Sequence, residues 1–222
     1  MTYPALPVFL PLEGRKCVVI GGGIIAARKA ADLIETGAVV TVVAAQPGED
    51  IETLAAAGSI TLYRRRYSKG DLAGATVAFG ATDDEAVNAA VAAEGKDLGV
   101  WVNIVDDPKR CDFYSGAVVG RGPLRVAIST SGACPALAAS VRRTIEQHFD
   151  PAYGDFVTLA GDVRSRLGTL PDLDPAIRMA VLEWLADREA YDLFASKGND
   201  AVWQVVNNKI SSSQDSHTDP RP

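Results

Sequence analysis

The chain has 222 residues, 47% hydrophobic and 23% charged, enough apolar material for one large domain or two small ones with a buried core. Its net charge of −6 argues against general nucleic-acid binding, which depends on surplus Lys and Arg, but leaves room for a polyanionic small molecule held by a local basic cluster. No apolar run reaches the length of a membrane span, and the opening MTYPALPVFLPLEGRK lacks the basic flank and cleavage site of a signal peptide, so a cytoplasmic protein without membrane association is expected.

Pro4, Pro7 and Pro11 surround Val8, Phe9 and Leu10, which predicts an extended lead-in, because proline fixes φ and biases its predecessor toward extended structure. Residues 16–20 then read as a buried strand, followed by the glycine turn of Gly21, Gly22 and Gly23. Ala27, Ala30, Ala31 and Ile34 recur at helical spacing until Gly37 offers a stop. Gly21, Gly23 and Ala26 form GxGxxA: a tight turn, a position without the Cβ that would block a pyrophosphate, and a small residue that lets helix and strand close. A glycine turn without ligand is the plainer alternative. The strand before it and the helix after it favour dinucleotide binding, with phosphates facing the unpaired N–H groups of Ile24 and Ile25 at the helix start.

Residues 39–44, VVTVVA, are β-branched and strand-like, and are broken by Gln46, Pro47 and Gly48. An Asp or Glu often holds the adenine ribose at this strand end, but here stand Ala44, Ala45 and Gln46, with no Arg to favour a 2′-phosphate. Residues 50–58 suggest a short helix and 60–67, ITLYRRRY, the next strand. Arg64, Arg65 and Arg66 could gather an anion, although the third strand of a doubly wound sheet is usually an edge, where cations discourage pairing with another chain. Residues 75–80 form a further strand. Thr82 to Glu85 spells the TxxE capping box, so Asp83 and Asp84 read as dipole-favoured acids of a first helical turn, while Thr82 also sits at a strand end where ligands bind. Residues 100–105, VWVNIV, make a fifth strand ended by Asp106, Asp107 and Pro108.

The alternation changes after Phe113. Residues 115–119 and 124–130 are strand-like and read as a hairpin, or as two strands reaching elsewhere. Pro135 then opens a helix with Leu137, Val141, Ile145 and Phe149 on one face. Beyond Asp150 the pattern is helical only. Phe156, Leu159, Ala160, Val163 and Leu167 mark one helix; Ile177, Val181, Trp184 and Leu185 mark another; and Val202, Val205 and Val206 mark a last one over about residues 200–210. The polar residues 211–222 are expected to be disordered. Cys17, Cys111 and Cys134 make no CxxC pair, and His148 and His217 form no ligand cluster, so reduced thiols and no bound metal are expected.

Four stretches occur in order: GGGIIAARKA, ATDDEAVN, VNIVDDPKRCDF and VAISTSGACPALA. With them the chain resembles the precorrin-2 dehydrogenase and sirohydrochlorin ferrochelatase family, which includes the front half of bacterial siroheme synthases. The resemblance extends up to the polar tail, and no methyltransferase half is expected. It implies an α/β fold: a Rossmann-type parallel sheet (1–112), a strand-helix dimerisation segment (113–149), a helical domain (150–210) and a tail (211–222). It also implies NAD-dependent oxidation of precorrin-2 to sirohydrochlorin, with Fe²⁺ insertion in some members, by a homodimer. Carried over by motif, Gly21, Gly22, Gly23, Ile24, Ile25, Ala45, Gln46, Thr82 and Val105 contact NAD. Asp106 is the catalytic carboxylate, and Asn103, Ser129 and Thr130 meet the tetrapyrrole. Thr130 stands where multifunctional relatives carry a serine, and Cys134 where serine is usual before the proline.

Read from the residues alone, Asp106 is either a proton acceptor at a strand end or the opener of a turn. Arg110, Arg125 and Arg142 are the nearest cations for substrate carboxylates. Two competitors are a dinucleotide-sensing regulatory module and another NAD-dependent oxidoreductase. The short-chain type of the latter needs Lys four residues after Tyr, and no Tyr here has it.

Overall fold

The computed structural model describes residues 5–214, and side chains to residue 211; residues 1–4 and 215–222, including His217, lie outside the described residues. Within these limits the chain divides into two compact units, one up to residue 115 and one from residue 116.

In the first unit, strands β1 (Lys16–Ile20), β2 (Val39–Val43), β3 (Thr61–Tyr63), β4 (Val77–Gly80) and β5 (Trp101–Ile104) pair in parallel in the order β3-β2-β1-β4-β5. Helices α1 (Ile24–Ile34), α2 (Glu49–Ala56) and α3 (Glu85–Leu98) connect them. Strand β1 shows why a near-continuous apolar run suits a sheet covered on both faces. Cys17 and Val19 join the core formed with α1 and α2, whereas Val18 and Ile20 join the core around Val91 of α3. Helix α1 closes on the sheet through the small side chains Ala26, Ala27 and Ala30, all buried.

Strand β3 stops at Tyr63 rather than running to Tyr67. The arginines leave the sheet because each of the first two finds a carboxylate: Arg64 forks onto Glu52 (3.0 and 2.6 Å) and Arg65 onto Asp71 (2.8 and 2.6 Å). The crossover to β4 is anchored from α3 by the buried carboxylate of Glu94. It accepts the Gly70 N–H (2.9 Å), the Leu72 N–H (3.2 Å) and the Tyr67 hydroxyl. Burial, followed by the neighbouring Glu94, pushes the Tyr67 hydroxyl well above the usual tyrosine range.

The capping of α3 also differs from the TxxE box. Asp84 is the cap, its carboxylate accepting from Ala86 N and Val87 N (3.0 and 3.2 Å). Thr82 Oγ1 accepts the Asp84 N–H one step earlier (3.1 Å). The helix therefore starts two residues later than the box requires, and Glu85 reaches Arg110 (3.3 Å) instead of back to Thr82.

Beyond β5 the chain doubles back along that strand. Asp112 donates its N–H to Val102 O (2.8 Å) and accepts the Val102 N–H on its carboxylate (2.9 Å). Asn103 Nδ2 donates to Phe113 O (2.8 Å), and the Phe113 ring meets Phe79 edge-on at 5.5 Å. Cys111 Sγ lies 3.2 Å from Ile104 N, Ile104 O and Asp107 O. This strap closes a loop with Asp106 near its tip.

In the second unit, β6 (Ala117–Arg121) and β7 (Leu124–Ile128) form an antiparallel hairpin on which α4 (Pro135–His148) packs. Helices α5 (Tyr153–Gly168), α6 (Pro175–Ala186), α7 (Arg188–Lys197) and α8 (Asn199–Gln214) bury Phe156, Leu159, Val163, Val181, Trp184, Tyr191 and Val206 together. Helix α8 continues to Gln214, four residues into the stretch expected as a disordered tail. On α4, Leu137 and Val141 are 54% and 38% exposed, so the apolar stripe read from the sequence is left largely open. No helix among the described residues is long and apolar enough to cross a membrane.

Candidate active site

Strand β1 has β2 on one side and β4 on the other, so the connections leave it in opposite directions and open a crevice at the strand ends. A cavity of about 820 Å³ occupies this place, bounded by the glycine turn, Ala44 to Gln46, Arg66, Tyr67 and Thr82 to Asp84. The three glycines are not equivalent. A Cβ on Gly21, whose φ is +135°, would stand 2.2 Å from Ala81 O, and one on Gly22 would stand 2.4 Å from Gln46 O. Both glycines therefore let the turn press against the loops after β4 and β2. Gly23 would meet nothing within 4 Å, so its missing side chain leaves open space at the cavity floor, where a ligand's phosphates can approach the backbone.

Gly23 is also the N-cap of α1, with no side-chain cap and no acidic residue in the first turn. Helix α2, by contrast, carries Glu49, Asp50 and Glu52 there, and α3 is capped by Asp84. The dipole and free N–H groups of α1 thus remain available to an anion. Ile24 and Ile25, 82% and 40% exposed, line the same cavity as apolar contacts. The residues present fit a dinucleotide pyrophosphate.

Eight of the nine residues expected to contact the cofactor line this cavity: Gly21, Gly22, Gly23, Ile24, Ile25, Ala45, Gln46 and Thr82. Val105 is outside that lining and donates its N–H to Gly80 O (2.9 Å), prolonging the β4–β5 ladder. Asp106 follows it, exposed, at φ +61°, within a turn closed by Asp107 N–H to Ile104 O (3.2 Å). No hydrogen bond engages its carboxylate among the described residues. Asn103 is buried, and its amide donates to the strap at Phe113, which places it behind the Asp106 loop.

Ser129 and Thr130 belong to the second unit and to the turn that starts α4. Ser129 Oγ accepts the Ser131 N–H (3.0 Å) and Thr130 Oγ1 the Cys134 N–H (3.1 Å), while Ser131 itself is at φ +52°. Of the suggested cations, Arg110 pairs with Asp107 (3.0 Å) and Glu85, and Arg142 pairs with Glu146 (2.5 Å). His148 caps the last turn of α4, its Nδ1 2.8 Å from Thr144 O.

Two contributors are not among the expected contacts, although Arg66 belongs to the arginine run that could gather an anion. Asn88, buried in α3, donates to Thr82 O (2.9 Å) and so fixes the loop after β4. It is the last residue of the ATDDEAVN stretch, where its spacing from Thr82 gives no reason to single it out. Arg66 lines the cavity from a chain segment expected to be strand.

Sheet order, glycine turn and open helix start together define a dinucleotide-binding unit of Rossmann type. A family model described as "Putative NAD(P)-binding" matches residues 8–117, and one described as "Sirohaem biosynthesis protein central" matches residues 121–148. The chain is 43% identical over 73% of its length to the siroheme synthase of Methylococcus capsulatus, and 41% identical over 76% to that of Ectopseudomonas mendocina. It covers 34% and 36% of those proteins, so it spans about a third of the length of the curated relatives it matches. Among solved structures, the precorrin-2 dehydrogenase SirC matches with a TM-score of 0.72 at 27% identity, over 90% of this chain and 98% of that one. The chain is thus similar to siroheme synthases over about three quarters of its own length, and to the precorrin-2 dehydrogenase SirC over nine tenths of it.

Proposed function

We propose that this protein oxidises precorrin-2 to sirohydrochlorin with NAD⁺, in the cytoplasm, as a step of siroheme biosynthesis. The observation that carries the reading is the cavity floor, where Gly23 leaves open space at the uncapped, acid-free start of α1, in a chain that SirC resembles nearly end to end. A nicotinamide dinucleotide bound there supplies a two-electron acceptor for hydride. Gly23 and the α1 N–H groups hold the pyrophosphate, and Ile24 and Ile25 shield it from water.

Substrate oxidation delivers one hydride to the dinucleotide and releases one proton. Asp106 accepts that proton on a carboxylate that no hydrogen bond engages among the described residues. Asn103, Cys111 and Asp112 hold its loop against β5 and act as positioning groups. The same carboxylate suits the removal of pyrrole protons when Fe²⁺ enters sirohydrochlorin, and we include iron insertion in the proposal, with Fe²⁺ as substrate. The open apolar face of α4 and the half-exposed Val118 of β6 support a homodimer formed through the second unit, and Ser129 and Thr130 are assigned to tetrapyrrole binding.

The experiment is spectroscopic. Precorrin-2 and NAD⁺ added to the protein should give the absorbance change of sirohydrochlorin formation. Asp106→Asn should keep the fold and the NAD⁺ affinity while slowing turnover by at least about a hundredfold, the contribution typical of a general base. Undiminished turnover would remove Asp106 from the mechanism. Anaerobic addition of Fe²⁺ to sirohydrochlorin at a rate equal to the protein-free control would remove the second activity.

A further inference from the structure

Arg64, Arg65 and Arg66 are adjacent in sequence but differ in their surroundings. The first two are bound bidentately by Glu52 and Asp71, and these contacts raise both guanidinium groups above their already high ordinary value. Arg66 has no carboxylate partner among the described residues and is the one basic side chain lining the dinucleotide cavity. Its position follows from the sheet. Ala44 donates its N–H to Tyr63 O (3.0 Å), tying the end of β3 to the end of β2, and Arg66 lies three residues beyond Tyr63.

The end of β2 is where the adenosine ribose of a dinucleotide sits in this fold. The cavity wall there is Ala44, Ala45, Gln46 and Gly48, with no carboxylate to accept a 2′-hydroxyl or to repel a 2′-phosphate. The acids Glu49 and Asp50 follow in α2 without lining the cavity. Asp83 and Asp84 do line it, on the β4 side, and Asp84 is engaged as the cap of α3.

We propose that Arg66 is a specificity residue that receives the 2′-phosphate of NADP⁺, so that the site takes both dinucleotides. The inference rests on the dinucleotide reading of the cavity. A guanidinium meets a phosphate with two parallel N–H donors, a geometry that lysine or glutamine cannot reproduce. The acid that commonly holds the ribose at the β2 end and repels a 2′-phosphate is not there.

Isothermal titration of the full chain with NAD⁺ and NADP⁺, and with 5′-ADP and 2′,5′-ADP as fragments differing only by the 2′-phosphate, tests this directly. NADP⁺ should bind within about threefold of NAD⁺. Arg66→Gln should weaken NADP⁺ and 2′,5′-ADP by about tenfold or more, the range of one charge-assisted pair, and move NAD⁺ and 5′-ADP by less than about threefold. Arg64→Gln, tested in parallel, should leave the ratio unchanged. Two results would each overturn the assignment: NADP⁺ binding more than tenfold weaker than NAD⁺ to the unmodified protein, or an equal loss for both dinucleotides in Arg66→Gln. No binding of either dinucleotide would take the reading of the cavity down with it, which separates that failure from the failure of Arg66 alone.

Discussion

Asp106 presents its carboxylate from a backbone at φ +61°, a region that costs a residue with a Cβ roughly 1–2 kcal/mol and that Asp tolerates better than most. Glycine would adopt the same turn without strain. Asp106→Gly should therefore unfold in urea at the same or a higher midpoint, with a gain of up to about 1 kcal/mol, although the proposed proton acceptor is gone. A clear loss of stability would show that the carboxylate, rather than the loop, holds the turn together. Asp106 thus occupies a turn and at the same time presents an exposed carboxylate, a placement that agrees with both the turn reading and the proposed proton acceptor. A sequence shows the turn residue but not the sign of φ.

At the scale of elements, the crossover between β3 and β4 depends on a single side chain of α3. Glu94→Ala removes the acceptor of the buried Leu72 N–H and the exposed Gly70 N–H, and leaves the Tyr67 hydroxyl only a long contact to Ala90 O (3.4 Å), a loss of about 1–3 kcal/mol by the usual cost of one orphaned buried donor. Because Arg66 and Tyr67 line the cavity from this segment, dinucleotide affinity should fall as well. Urea unfolding and NAD⁺ titration of the variant measure the two effects separately. A variant as stable as the parent would mean that water replaces the carboxylate without cost. Glu94 also marks a limit of periodicity. Its place on the inward face of α3 follows from spacing, but the N–H groups it receives lie more than twenty residues away in sequence.

At the scale of the whole molecule, the β-branched runs and the glycine turn made the parallel sheet legible, since each carries its own periodicity or backbone requirement. The cavity lining was legible by motif. What escaped was what one segment does to another: where β3 ends, which residue caps α3, how the strap covers β5, and the separate helix α7. The end of β3 and the strap are settled by ion pairs and hydrogen bonds between separated residues that have no sequence period, and the α3 cap by a local choice between Thr82 and Asp84 that both residues' chemistry allows.

The helical half carries a pH signature of its own. Tyr191, 3% exposed, donates its hydroxyl to Asp150 Oδ2 at 2.5 Å. Burial first, and the carboxylate second, push this tyrosine up to about 12. A raised value means that ionisation is easier in the unfolded chain. The contact's contribution is therefore complete below about pH 10, the unfolded value, and is lost as pH rises toward the folded one. Thermal unfolding followed by circular dichroism should show melting temperature falling from about pH 10 upward, with a shallower fall in Tyr191→Phe. Parallel curves would exclude Tyr191 as the source.

The strap and the start of α4 have a further consequence for chemical labelling. Cys17 is enclosed in the sheet and Cys111 is held in the strap, and burial raises both thiols, disfavouring the reactive thiolate. Cys134 is exposed at the head of α4. Under native conditions a disulfide-exchange reagent should titrate one thiol rapidly, and all three only in denaturant. Fast reaction of a second thiol would show the strap opening on the timescale of the assay. The unmodified protein thus offers a single attachment point for a fluorophore beside the open apolar face of α4, from which association of two chains can be read without engineering a cysteine.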